Sequence, residues 1–136
     1  MSVIIDSSLT LAWYFPDEGS EATDDVLRQV SQTGAVVPLH WHAEVANAFQ
    51  MAIRRKRIDT SYRNASLAEL AHFDIESDPD TNAHMWGATV QLADLYGLTI
   101  YDAAYLELAQ RRRMLLATLD APLTKAARAA GVATLP

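Results

Sequence analysis

The sequence predicts an α/β fold, an α/β/α sandwich around a central, mostly parallel sheet, in one domain over residues 1–136. Two observations carry this. Short apolar runs such as Val3-Ile4-Ile5 and Val36-Val37 do not alternate with polar residues, as strands covered on both faces do not. Amphipathic stretches of helical period separate these runs, and strands alternating with helices pair in parallel with helices on both faces of the sheet. Half of the 136 residues are hydrophobic, enough to fill a core.

The elements follow in order. Val3 to Ile5 reads as a buried strand ending at Asp6. Ser7 and Ser8 are suited to cap a helix carrying Leu9, Leu11, Ala12 and Trp13. Pro16-Asp17-Glu18-Gly19 breaks the chain, and a helix over Glu21 to Gln32 presents Val26, Leu27 and Val30 on one face. Gly34 closes it, and 35–38 form a second strand. A long helix over Leu39 to Lys56 carries the stripe Trp41, Val45, Ala48, Phe49 and Ala52. Helix is expected over Thr60 to His72, strand over Phe73 to Glu76, and a turn at Asp78-Pro79-Asp80. One helix over Asn82 to Tyr96 stops at Gly97. Strand is expected at Leu98-Thr99-Ile100, helix from Asp102 to Arg112, and strand from Met114 to Leu119 with Asp120 at its end. Pro122 to Ala130 is helical, and Val132 to Leu135 a last short strand.

Composition bounds the chemistry. There is no cysteine, which excludes disulfides, thiolate zinc sites and cysteine nucleophiles. No stretch approaches the roughly 20 apolar residues of a membrane span. The opening Met1 to Asp6 reaches a charge after three apolar residues with no basic stretch before them, unlike a secretory leader, so the expected location is the cytoplasm. The net charge of −6 weighs against a nucleic-acid binder. Arg54-Arg55-Lys56-Arg57 and Arg111-Arg112-Arg113 run the other way, although cations at helix ends explain both as well. An acidic protein binds RNA where metal ions neutralise its pocket and a few basic residues hold the backbone.

Asp6, Asp102 and Asp120 each follow a short apolar run and each open a helix. Capping, worth about 1 kcal/mol, accounts for any one of them. Together they fall on one edge of a parallel sheet, where ligands of such sheets bind. Crowded carboxylates raise one another's pKa, and a cation between them relieves the repulsion. Glu44 joins them from an apolar helix, against the alternative of an exposed Glu at a helix start. Asn47 lies one turn on, placed to hydrogen-bond a carboxylate or a water. An all-carboxylate set suits Mg²⁺ or Mn²⁺, while zinc favours more imidazole. His40 and His42 read as packing or surface residues, and His72 and His84 show no relation to the pocket. Metal-assisted hydrolysis of a phosphodiester is the chemistry expected of such a set.

Four segments carry a resemblance. They are Val3 to Glu18, Val37-Pro38 with Glu44-Val45-Ala46-Asn47-Ala48, Leu98 to Ala109, and Ala117-Thr118-Leu119-Asp120 followed by Leu123, Ala126-Ala127 and Gly131. In this order they resemble PIN-domain proteins, specifically VapC-type toxins of VapBC toxin–antitoxin pairs. Each motif alone is one acid in an apolar frame; the match is specific because four stand in register. The resemblance implies a PIN-like, Rossmann-like sandwich and a ribonuclease dependent on Mg²⁺ or Mn²⁺. Asp6, Glu44, Asp102 and Asp120 would be its metal-binding acids, with Ser8 and Thr118 as supporting polar residues. It also implies a homodimer and a cognate antitoxin that sets a basic side chain in the acidic pocket. Asp94 is read as a surface acid.

Two other readings compete. One keeps the acids but acts on another substrate, as a DNA nuclease or a small phosphatase; Ser7-Ser8 after Asp6 lacks the Asp-x-Asp pair of an aspartyl-phosphate phosphatase, and the acidic pair of a receiver domain is not found. The other is a PIN-like binding module without catalysis, against which the intact acid set weighs.

Overall fold

The computed structural model describes residues 2–136 and holds one five-stranded sheet in the order β3-β2-β1-β4-β5, every pair parallel. Met1, where the reading for a leader begins, lies outside the described residues. The strands are β1 (Val3–Ile5), β2 (Ala35–Val37), β3 (Ile75–Ser77), β4 (Leu116–Ala117) and β5 (Thr134–Leu135). Between them run α1 (Ser7–Ala12), α2 (Glu21–Thr33), α3 (Trp41–Arg54), α4 (Thr60–Leu70), α5 (Thr81–Met85), α6 (Ala88–Tyr96), α7 (Ile100–Arg112) and α8 (Ala121–Ala129). The chain moves outward from β1 to β3 and then crosses to β4 and β5. Right-handed crossovers therefore put α1–α4 on one face and α5–α8 on the other. The packing agrees, with α1 and α4 against α3, and α6 and α8 against α7. This is the expected α/β/α sandwich, with the sheet parallel throughout.

The central strands are fully buried and the two edge strands partly exposed, as a sheet covered on both faces requires. Val3, Ile4, Ile5, Leu9, Val37 and Phe49 lead the core on one side; α7 adds an unbroken buried run from Ala103 to Ala109 on the other. Ser20 and Thr23 cap α2 reciprocally, at 3.2 and 2.8 Å. Gly34 ends that helix at φ 78°, and a Cβ there would stand 2.8 Å from the Asp74 carbonyl, so no other residue fits without a shift.

Several expected boundaries move. Asp6, not Ser7 or Ser8, caps α1, its carboxylate accepting from Leu9 N–H. The helix expected from Leu39 starts at Trp41, the strand expected over 73–76 shifts along the chain to β3, and that over 114–119 shrinks to β4. The helix expected over 82–96 is two, α5 and α6, broken at Trp86-Gly87, where Gly87 takes φ −113° and ψ −102°. Leu98-Thr99-Ile100 is no strand: Gly97 closes α6 in the left-handed region and Thr99 already caps α7. Asp102 is thus a residue of the first turn of α7, not of a strand end.

The turn at Asp78 does more than reverse the chain. Asp78 is wholly buried after β3 and receives Arg111 at 2.6 and 3.3 Å and Arg112 at 2.9 Å. Burial pushes its carboxyl up, but the bonds from the two guanidiniums outweigh that and hold it at about 2. Arg111 also pairs with Glu107 at 2.8 Å and Arg112 with Glu76 at 2.7 Å. Two of the three arginines in that basic run are therefore clamps on α7. In the other run, Arg57 is bound to Asp17 at 3.1 Å and lies 4.7 Å over the Phe15 ring. Among the described residues, no helix is long and apolar enough to cross a membrane.

Candidate active site

The order of strands reverses between β1 and β4, and in open parallel sheets that point of the carboxyl edge is where ligands bind. Asp6 stands there. Its N–H completes the β1–β4 ladder on the Ala117 carbonyl at 3.1 Å, and its own carbonyl accepts Thr10 Oγ1 at 2.8 Å. The same Thr10 oxygen receives Trp41 Nε1 at 3.1 Å, tying α3 to α1. The Asp6 carboxylate is 3% exposed and accepts from Leu9 N–H at 2.9 Å, from Ser8 Oγ at 2.7 Å and from the Thr118 hydroxyl. Burial pushes this carboxyl up to about 6 against the lowering pull of those bonds, and the Asp102 charge adds to the rise.

Asp120 arrives from across the seam. It caps α8, with Leu123 N–H on its Oδ2 at 2.9 Å, and its own N–H donates to Thr118 Oγ1 at 3.0 Å. Ser8 Oγ accepts from Leu119 N–H at 3.0 Å. Ser8 and Thr118 thus bind the two acidic segments to each other. Asp102, half-buried on α7, is pushed up first by burial and then by Asp120 and Glu44, while its bond with Thr99 and the nearby His40 pull it down. Glu44, partly buried on α3, receives the Tyr105 hydroxyl at 2.6 Å. Tyr105 is itself held well above its ordinary range, by burial first and then by Glu44, Asp6 and Asp102. It is therefore a neutral donor at any working pH.

The four acids come from four elements; Asp6 feels the charge of Asp102, and Asp102 feels those of Asp120 and Glu44. Asn47 lies exposed one turn beyond Glu44. Asp94 is exposed on α6, as expected of a surface acid. His42 and His72 are exposed as well. His40, read as a packing or surface residue, packs against Tyr105 and Tyr101, and its Nε2 also lies 3.5 Å from Glu44 Oε1. His40 and Tyr105 are the two residues that sequence reasoning missed. Tyr105 reaches Glu44, and His40 reaches the Tyr101 carbonyl, across 61 residues of chain, and no local pattern reports such contacts.

The donor set is carboxylate oxygen throughout, which suits a hard divalent cation. Among the described residues, no group of three or more His, Asp or Glu side chains stands ready to hold an ion. The carboxylates instead engage their own donors: Thr118, Ser8 and Leu9 for Asp6, Leu123 for Asp120, Tyr105 for Glu44.

The PIN domain family model matches residues 3–129. Ribonuclease VapC3 of Pyrobaculum aerophilum is 33% identical over 126 residues, which are 92% of this chain and 94% of that protein. Among solved structures, PAE2754 from Pyrobaculum aerophilum superposes with a TM-score of 0.72 at 20% identity, covering 98% of this chain and 89% of its own. FitAcB from Neisseria gonorrhoeae gives 0.68 at 17% identity, covering 98% and 96%. The last two show a shared fold.

Proposed function

Since the chain belongs to the PIN domain family, we propose that it is a divalent-metal-dependent endoribonuclease of the VapC toxin type, with Asp6, Glu44, Asp102 and Asp120 as its metal-binding acids. The observation that carries this reading is the mutual loading of the acids: the carboxyls of Asp6 and Asp102 are raised partly by other acids of the set. A cation among them turns that repulsion into attraction. The likeness to a protein named as a ribonuclease supports RNA as substrate.

The chemistry that a bound Mg²⁺ or Mn²⁺ supplies is a lowered water pKa and compensation of phosphate charge. The chain's residues do the rest. Ser8 and Thr118 fix the Asp6 carboxylate at the seam of the sheet. Tyr105 holds one Glu44 oxygen. Thr99 caps the turn that presents Asp102, and Leu123 N–H orients Asp120. Asn47 is placed near Glu44 as a lesser polar contact. A carboxylate with a raised pKa is suited to take up the proton that an attacking water gives off.

The partners follow from the same reading. A cognate antitoxin would place an Arg in the acidic pocket, where a guanidinium forks onto paired carboxylates. Trp86 is 94% exposed and Leu95 70%, apolar surface of the kind that a second copy in a homodimer would cover.

The test is incubation of purified protein with a mixed transfer and ribosomal RNA pool, with Mn²⁺, with EDTA, and as the Asp6→Asn variant. Cuts that need Mn²⁺ and vanish in the variant are expected. Cuts that persist in EDTA or in Asp6→Asn overturn the assignment of this site.

A further inference from the structure

His40 stands at the N-cap of α3, yet its side chain makes no capping bond there. Ser, Thr, Asn and Asp serve that position, and an imidazole gives the helix nothing comparable. The ring instead crosses to α7. Nε2 lies 3.1 Å from the Tyr101 carbonyl oxygen and 3.5 Å from Glu44 Oε1. The carbonyl accepts only, and so does an ionised carboxylate, so Nε2 carries the hydrogen and donates. Nδ1 is buried with no partner. Nε2 is therefore the ring nitrogen that makes the bond across to α7. The ring is wedged edge-on to Tyr105, centroids 5.2 Å apart, and tilted against Tyr101 at 5.9 Å.

We infer that His40 is a positioning residue for the proposed metal site, a strut whose Nε2–H binds the Tyr101 carbonyl on the first turn of α7 while the ring edge rests 3.5 Å from Glu44 Oε1, and which so sets Glu44 relative to Asp102. The inference rests on the metal reading above. Glu44 and Asp102 stand on different helices, α3 and α7, and the described contacts that join them directly at this end run through His40 and Tyr105. Both fall on Oε1 of Glu44, which leaves Oε2 as the oxygen to face a cation. Partners of this kind behind a metal ligand are commonly worth about 10-fold or more in metal affinity.

The experiment is a Mn²⁺ titration of EDTA-stripped protein followed by electron paramagnetic resonance, which reads free Mn²⁺ and needs no RNA. His40→Leu is expected to weaken binding about 10-fold. His40→Gln, whose amide nitrogen takes the place of Nε2, is expected to stay close to wild type. His40→Asn, whose amide reaches only the place of Nδ1, is expected to bind like His40→Leu. Circular dichroism and urea unfolding on each variant separate folding from binding, and if His40→Leu does not fold, the contrast of the two amides decides. Equal affinity in all four proteins overturns the inference, as does a His40→Gln variant as weak as His40→Asn. Wild-type protein that binds no Mn²⁺ overturns the metal reading itself, a distinct result that removes the strut's role with it.

Discussion

Asp6→Asn is expected to stabilise the fold while abolishing cleavage. The Asp6 carboxyl is pushed up to about 6 from an ordinary 3.8, so its ionised form is less favourable in the folded chain than in the unfolded one. That difference corresponds to about 3 kcal/mol. It acts in full above about pH 6, shrinks as the pH falls from there towards 3.8, and is gone below. Asparagine preserves the local geometry. Its carbonyl can accept from Leu9 N–H and Ser8 Oγ, and its amide can donate to Thr118 Oγ1. The amide bonds somewhat less well there than a protonated carboxyl would, at a cost of about 1 kcal/mol. A net gain of about 1–2 kcal/mol is left at neutral pH. Urea unfolding in EDTA at pH 7 and again near pH 4 measures it, and the advantage should be largely gone at the lower pH. Adding Mn²⁺ at pH 7 should narrow the gap, because only the folded wild type binds it well. A variant no more stable than wild type at pH 7, or an advantage unchanged near pH 4, refutes the claim that a strained carboxylate sits at the seam.

Asp78→Asn should do the reverse. A carboxyl held at about 2 against 3.8 contributes about 2 kcal/mol. That contribution is present above 3.8 and lost as the pH falls through about 2, so the urea midpoints of variant and wild type should converge across that range; a constant deficit would count against the Arg111–Asp78–Arg112 clamp as its source. Tyr105→Phe removes the 2.6 Å bond to Glu44. It should slow RNA cleavage about 10-fold while shifting unfolding by under about 1 kcal/mol, and an unchanged rate would mean that Glu44 needs no such support.

Much of the layout was legible because it depends on short-range signals. The buried β-branched runs at Val3–Ile5 and Ala35–Val37 fall where expected, and Gly34, Gly97 and Gly131 all take positive φ next to helix ends. The misreading at Leu98-Thr99-Ile100 has a definite cause. Three residues of good strand propensity were enough for a pattern, but Gly97 and Thr99 are both committed to helix ends, which leaves no length of chain to pair with a neighbour. Asp102 stands in a helical first turn instead, where its carboxyl still feels Asp120 and Glu44. Arg111 and Arg112 do stand in the last turn of α7, as helix-end cations, but their bonds to Asp78 were not legible because that partner lies more than thirty residues earlier and looked like an ordinary turn residue. Tyr105 was invisible for the same reason, as was the bond of His40 to Tyr101: distance along the chain hides proximity in space.

That same distance governs when the pocket comes into existence. The Thr118 hydroxyl meets Asp6 across 112 residues, because the first strand of the sheet is completed by its fourth. A ribosome that has made the first hundred residues has produced Asp6 and Glu44 but neither Asp102, Asp120 nor the strand that seats them. Under the proposed reading, a growing chain is therefore harmless to the messages and ribosomes around it until its last quarter is built and has folded back against its beginning. Synthesis order thus delays the hazard, and a truncated product of the same message carries no working blade.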